Sequence, residues 1–146
     1  MKVLEARNAF FSDYETLQFL SKLQRHHHWD DESSQGKRLK SQRPYNHPQL
    51  QAITSDTLAY LNADKGLPQE DGTILRSPLS TLNDERFTEL VRALNKFDLF
   101  QAEKLQIVNQ LPGTLVHLYA VVEECDARFT QDQQQQLIEL IQSYHS

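Results

Sequence analysis

A chain of 146 residues with a mean hydropathy of −0.63 and 9% aromatic residues has the length of one domain, or of two small units that each need outside help to bury a core. Charge is unevenly spread: residues 1–81 hold ten acidic and ten basic side chains, whereas residues 82–146 hold ten acidic and five basic. The acidic C-terminal part repels phosphate backbones and argues against autonomous nucleic-acid binding there; the single cysteine, Cys125, excludes an internal disulfide and a multi-cysteine zinc site and fits a reducing compartment.

The opening stretch MKVLEARNAFFSDYE contains acidic residues and lacks the apolar centre of a signal peptide, and no later run is apolar enough to span a bilayer, so the chain reads as soluble. Val3, Leu4, Ala6, Ala9, Phe10 and Phe11 are too many apolar groups for a solvated tail. Two readings stay open: this segment lies on the chain's own helices, or it adds an edge strand to a partner's sheet.

A helix is predicted over residues 13–29, where Tyr14, Leu17 and Leu20, with Phe19 and Leu23 beside them, recur at helical spacing. Ser12, with Glu15 three residues on, has the pattern of a capping box. Near the helix end stands Arg25-His26-His27-His28-Trp29-Asp30-Asp31-Glu32. Consecutive side chains on a helix point about 100° apart, so the three imidazoles cannot close on one ion, and no metal is expected. Histidines near a helix C-terminus, favoured by the dipole, are the expected role, with Trp29 as a packing anchor.

Residues 30–48 turn polar and basic and contain Gly36, Pro44 and Pro48, which predicts a loop. Lys37, Arg38, Lys40 and Arg43 form the best basic patch; it supports at most a weak nucleic-acid contact. A second helix is predicted over 48–62, with Leu50, Ile53, Thr57, Leu58 and Leu61 on one face. Residues 63–81 carry two glycines and two prolines and are expected to be the main internal boundary.

Beyond it, Phe87, Leu90, Val91 and Leu94 mark a helix capped by Asn83; Leu105, Val108 and Leu111 mark another that Pro112-Gly113 ends; Leu115, Leu118, Tyr119 and Val122 a third; and Leu137, Ile138, Ile141 and Tyr144 the last. Four short helices describe a compact all-α unit. Glu123, Glu124 and Asp126 surround Cys125 and are expected to raise its thiol pKa, against thiolate chemistry. No GxGxxG, P-loop, GxSxG or HExxH pattern occurs, so no catalytic residue and no cofactor is assigned, and the chain is not read as an enzyme.

The segment AEKLQIVNQLPGTLVHLYAVVEECDARF at 102–129, the opening MKVLEARNAFFSDYETLQFL, and RPYNHPQLQAI at 43–53 resemble the smaller stalk subunits of eukaryotic RNA polymerase III, relatives of the fourth-largest subunit of RNA polymerase II and of its archaeal counterpart. The resemblance implies an all-α fold in which an N-terminal extended segment plus helices pack on a partner and a C-terminal HRDC-like helical bundle follows. It implies a partner-binding region at 1–62 with a loop at 30–48, a linker at 63–81 and the HRDC-like domain at 82–146. The implied role is a non-catalytic nuclear subunit that pairs with the larger OB-fold stalk subunit on the polymerase III core and contacts initiation factors. Nucleic acid would be met indirectly or weakly, and no membrane is involved.

On that resemblance the anchor residues are Val3, Leu4, Phe10, Phe11, Tyr14, Leu17 and Leu20, supported by Leu50, Ile53 and Leu58. Glu123, Glu124, Asp126 and Arg128 lie in the matching core motif, where factor docking and local salt bridging are both open. Animal relatives are also described as a component of the calcitonin gene-related peptide receptor, which implies a receptor-associated accessory protein as the alternative function.

Overall fold

A computed structural model describes residues 2–30, 45–64 and 75–145. Among them the chain forms seven α-helices and one 3-10 turn, and the sole extended pairing is an isolated antiparallel bridge between Ala63 and Arg76. The helices are α1 (Asp13–His26), α2 (Pro48–Asn62), α3 (Asp84–Leu94), α4 (Gln101–Gln110), α5 (Leu115–Val121), α6 (Cys125–Arg128) and α7 (Gln131–Gln142), with the 3-10 turn at Pro78–Thr81. The all-α expectation holds.

Two compact units result: Met1–Tyr14 with Pro78–Ser146, and Glu15–Ser77. This partition departs from one that divides the chain at 63–81. Tyr14 is buried among Leu79, Leu82, Leu90 and the other core residues of the helical unit. Leu79 and Leu82 lie at the end of the proline-bearing stretch, yet both are buried in that core, so the boundary falls before Pro78. Asp64 N donates to Leu75 O at 2.7 Å and Ser77 N to Asn62 O at 2.8 Å, which closes the base of that stretch.

In the helical unit the apolar stripes of α3, α4, α5 and α7 meet: Leu90, Leu94, Ile107, Leu118, Leu137 and Ile141 are fully buried. Burial of such side chains contributes roughly 1.5–3 kcal/mol each and is the main force holding these short helices, which would be marginal alone. Caps fix where each begins. Asn83 Oδ1 accepts from Arg86 N at 2.8 Å, as the sequence predicts, and Thr130 and Gln133 bond reciprocally at the start of α7.

The helix ends are equally specific. Leu111 closes α4 in the left-handed region at φ 45°, its amide donating to Ile107 O, and buried Pro112 prevents continuation. From the last turns of the chain, His145 Nε2 lies 2.7 Å from Leu111 O, and Gln142 Nε2 donates to Gly113 O at 2.6 Å. A Cβ on Gly113 would come within 3.2 Å of the His145 ring, so this turn and the last residues described are closely fitted. The short helix α6 has no counterpart in the predicted elements; Glu124 precedes it at φ 48°, and four residues are too few to show a period.

Among the described residues of the second unit, Leu17, Leu58 and Leu61 are buried together and Leu20 packs partly against them. Helix α1 stops at His26, three residues short of the expected end, because His28 adopts φ 55°. His28 N then donates to Arg25 O and Trp29 N to Gln24 O, the paired closure of a Schellman motif. In α2, Thr54, Leu58 and Leu61 face inward, whereas Ile53 is exposed, which splits the single face expected from the sequence.

Candidate protein-docking surfaces

The structure divides the ten expected anchor residues into two sets. Tyr14, Leu17 and Leu58 are buried within this chain's own cores, and Leu20 is partly buried beside Leu17 and Leu58. Val3, Leu4, Phe10, Phe11, Leu50 and Ile53 are exposed, Leu4 at 87% and Phe10 at 74% of their full surface. Residues 2–11 contain no helix or strand, so the apolar segment is displayed as irregular backbone. Tyr60 on α2 is a further exposed aromatic that helical spacing alone does not single out.

Both exposed sets are larger than isolated surface leucines and belong to segments with little apolar burial of their own. Among the described residues of the Glu15–Ser77 unit, the buried leucines are Leu17, Leu58 and Leu61.

In the other unit, Glu103 and Arg128 build a dense polar node. Arg128 Nη1 meets Glu103 Oε1 at 2.6 Å and Nη2 meets Oε2 at 3.1 Å, the planar fork that guanidinium and carboxylate favour. The same carboxylate accepts from Phe100 N at 2.8 Å and Glu123 N at 3.1 Å, while Arg128 donates to the Glu123 and Asp98 carbonyls, each at 2.9 Å. The guanidinium also lies 4.5 Å from the Phe100 ring centroid. Bonding to Arg128 holds the buried Glu103 carboxyl below its usual range against the opposing effect of desolvation, with the two backbone amides helping.

This node shows what the four residues of the 123–128 motif do within the chain. Arg128 is engaged by Glu103, a residue that no local pattern marks, and Glu123 joins through its backbone. The side chains of Glu123, Glu124 and Asp126 are exposed. Cys125 is buried, and burial is the chief cause that pushes its thiol up; Asp126 and Glu103 add to this while Arg128 opposes it. The acids are therefore the lesser cause.

Gln134 is equally unmarked in the run QDQQQQ. It is the buried member: its Nε2 donates to the Cys125 and Phe129 carbonyls at 3.2 and 3.0 Å, and its Oε1 accepts from Tyr119 Oη at 3.0 Å. Only its helical register, three and four residues before Leu137 and Ile138, distinguishes it from its neighbours.

The histidine run is a stacked helix end. His27 packs between Trp29 and Tyr45, with ring centroids 4.8 and 5.0 Å away, and Trp29 Nε1 donates to Tyr45 O at 3.2 Å. Trp29 thus anchors the end of α1 to the residues before α2. Among the described residues no group of three or more His, Cys, Asp or Glu side chains is placed to hold a metal. No described helix is long and apolar enough to cross a membrane. Lys37, Arg38, Lys40 and Arg43 lie outside the described residues.

The described residues thus form small helical units with a Glu103–Arg128 node held internally and apolar segments exposed. Over residues 10–145 the chain matches RNA polymerase Rpb4, and it belongs to that family of non-catalytic polymerase subunits. It is 48% identical to DNA-directed RNA polymerase III subunit RPC9 of Saccharomyces cerevisiae, with 99% of each chain covered. It is 26% identical to DNA-directed RNA polymerase III subunit rpc9 of Schizosaccharomyces pombe, with 97% of this chain and 96% of that one covered. These comparisons lend nothing to the receptor-accessory alternative.

Proposed function

We propose that this chain is the smaller stalk subunit of DNA-directed RNA polymerase III, a nuclear protein that works by positioning. The observation that carries the reading is the end-to-end match to the Saccharomyces cerevisiae polymerase III subunit, 48% identical over 99% of both chains. The N-terminal apolar segment and the exposed side of α2 bind the larger stalk subunit, and the acidic C-terminal unit, of the HRDC-like type, is presented to initiation factors. Supporting the first contact are the exposed Val3, Leu4, Phe10, Leu50 and Ile53. Supporting the second is the excess of ten acidic over five basic residues in 82–146, which favours basic protein surfaces over phosphate backbones.

Co-expression with the larger stalk subunit, then gel filtration with light scattering, tests this reading. A one-to-one complex is expected for the wild type, and Phe10→Asp with Phe11→Asp is expected to weaken it while leaving the circular dichroism of the free chain unchanged. A chain that elutes alone in the presence of its larger partner overturns the assignment. Neutralising Lys37, Arg38, Lys40 and Arg43 is expected to leave complex formation intact, and salt-sensitive RNA binding lost by that change would instead assign them a nucleic-acid contact.

A further inference from the structure

Helix α5 carries an apolar face that the helical core does not use. Leu118 and Val122 are buried, while Leu115, Val116 and Tyr119 remain exposed, Val116 at 80%. Immediately beyond the helix, Glu123, Glu124 and Asp126 are exposed as well. Arg128 is the single lysine or arginine in residues 111–146, against five acidic residues there, and its guanidinium is taken up by Glu103, the Glu123 and Asp98 carbonyls and the Phe100 ring. The exposed apolar face of α5 is thus followed in the chain by three exposed carboxylates, and Arg128, the one lysine or arginine of that stretch, is already engaged.

We propose that the Leu115, Val116 and Tyr119 face of α5, with the exposed Glu123, Glu124 and Asp126 that follow the helix, docks a cationic amphipathic segment of another protein. Charge complementarity selects the occupant. A nucleic acid would meet like charge, a second copy would bring the same three carboxylates, and an uncharged apolar segment would leave them unused. Tyr119 is oriented for contact because its hydroxyl is fixed on Gln134, and Glu124 is held at the tip of its turn by a left-handed backbone. The apolar residues supply affinity and the carboxylates supply orientation and encounter rate. This inference rests on the reading of the chain as a polymerase subunit that receives protein factors, and it names the chemistry of the segment received.

The test uses the full chain, isotope-labelled for amide NMR and titrated with a short helical peptide of leucine and lysine, then with the same peptide bearing glutamate for lysine. Saturable shifts centred on residues 115–126 with the lysine peptide, and none with the glutamate peptide, are expected. Val116→Ser should weaken binding about fivefold or more, and joint Glu123→Gln, Glu124→Gln and Asp126→Asn about threefold or more with a reduced salt dependence. Shifts centred elsewhere, equal response to both peptides, unchanged affinity in the Val116→Ser chain, or self-association through α5 seen by light scattering would each overturn the proposal. Pairing with the larger stalk subunit is measured separately: its loss with α5 binding retained removes only the stalk reading, and the converse removes only this one.

Discussion

Tyr14 and Asp84 are hydrogen-bonded across 70 positions of sequence, the phenol Oη donating to Asp84 Oδ1 at 2.7 Å. The Tyr14 ring stacks on Phe87 with centroids 4.6 Å apart, and the neighbouring Asp13 amide donates to Asn109 Oδ1 at 2.8 Å. Residues at the start of α1 are thereby fastened to α3 and α4 of the helical unit. Asp84 stands in the first turn of α3, so the phenol is tied to the N-terminal end of that helix. Burial first, then the hydrogen bond and charge of Asp84, push the Tyr14 pKa up to about 12.

Tyr14→Phe is expected to cost about 1–2 kcal/mol near neutral pH, because it removes the hydrogen bond while keeping the stacked ring. The unfolded phenol titrates near 10 and the folded one near 12, so the folded state binds this proton more tightly. Its contribution is complete below pH 10 and disappears as pH rises through about 12. Urea unfolding of both chains across that window checks the sign: the gap between wild type and variant should close with rising pH. No gap at any pH would mean that Tyr14 stabilises through the packing of its ring alone.

Glu103 predicts the opposite end of the pH scale. Its carboxyl is held below the usual 4.5, chiefly by Arg128, so its stabilisation is present above that value and is lost as pH falls through the folded pKa. Glu103→Gln should therefore be less stable by about 2 kcal/mol at neutral pH and lose less on acidification below 4.5 than wild type. Arg128→Lys should also destabilise, because an ammonium cannot span both carboxylate oxygens and the two carbonyls. Thermal unfolding at several pH values reads both effects.

The helices were legible because apolar spacing and the Asn83 cap agree with the core that forms around Leu90, Leu118 and Ile141. What escaped had a specific cause. Glu103 meets Arg128 across 25 positions, and nothing in local spacing announces a pair that distant. Helix α6 is one turn long, and the left-handed Glu124 before it carries no glycine signal. Tyr14 and Leu17 share one helical stripe in the sequence, yet they enter different cores, because periodicity reports a buried face without saying what buries it. The exposed side of α2 was hidden in the same way: Leu50 and Ile53 look like companions of Leu58 until the backbone sets their directions.

Thr54 offers a test within the smaller unit. Its side chain is buried on α2 and its hydroxyl has no hydrogen-bond partner among the described residues. A buried hydroxyl without a partner is a net loss on folding, and valine has nearly the same shape without it. Thr54→Val is expected to raise stability by about 0.5–2 kcal/mol, read as an upward shift of the unfolding midpoint. A fall of similar size would show that the hydroxyl is bonded in solution.

The division of the expected anchor into core and surface can be measured with paired truncations. Leu58 is buried with Leu17 and Leu61, so Leu58→Ala removes packing that little else can replace and should cost about 2–5 kcal/mol in the free chain. Ile53 lies one turn earlier on α2 at 63% exposure, and Phe10 is more exposed still, so Ile53→Ala and Phe10→Ala should change free-chain stability by about 0.5 kcal/mol or less. In the complex with the larger stalk subunit the order should reverse for affinity: the exposed pair weakens association through lost contact, whereas Leu58→Ala acts only through the fraction of chain left folded. Denaturation of each free variant beside calorimetric titration of the partner separates the two effects. Loss of stability in the free Phe10→Ala chain would place that ring against this chain's own helices, the first of the two readings that its sequence allows.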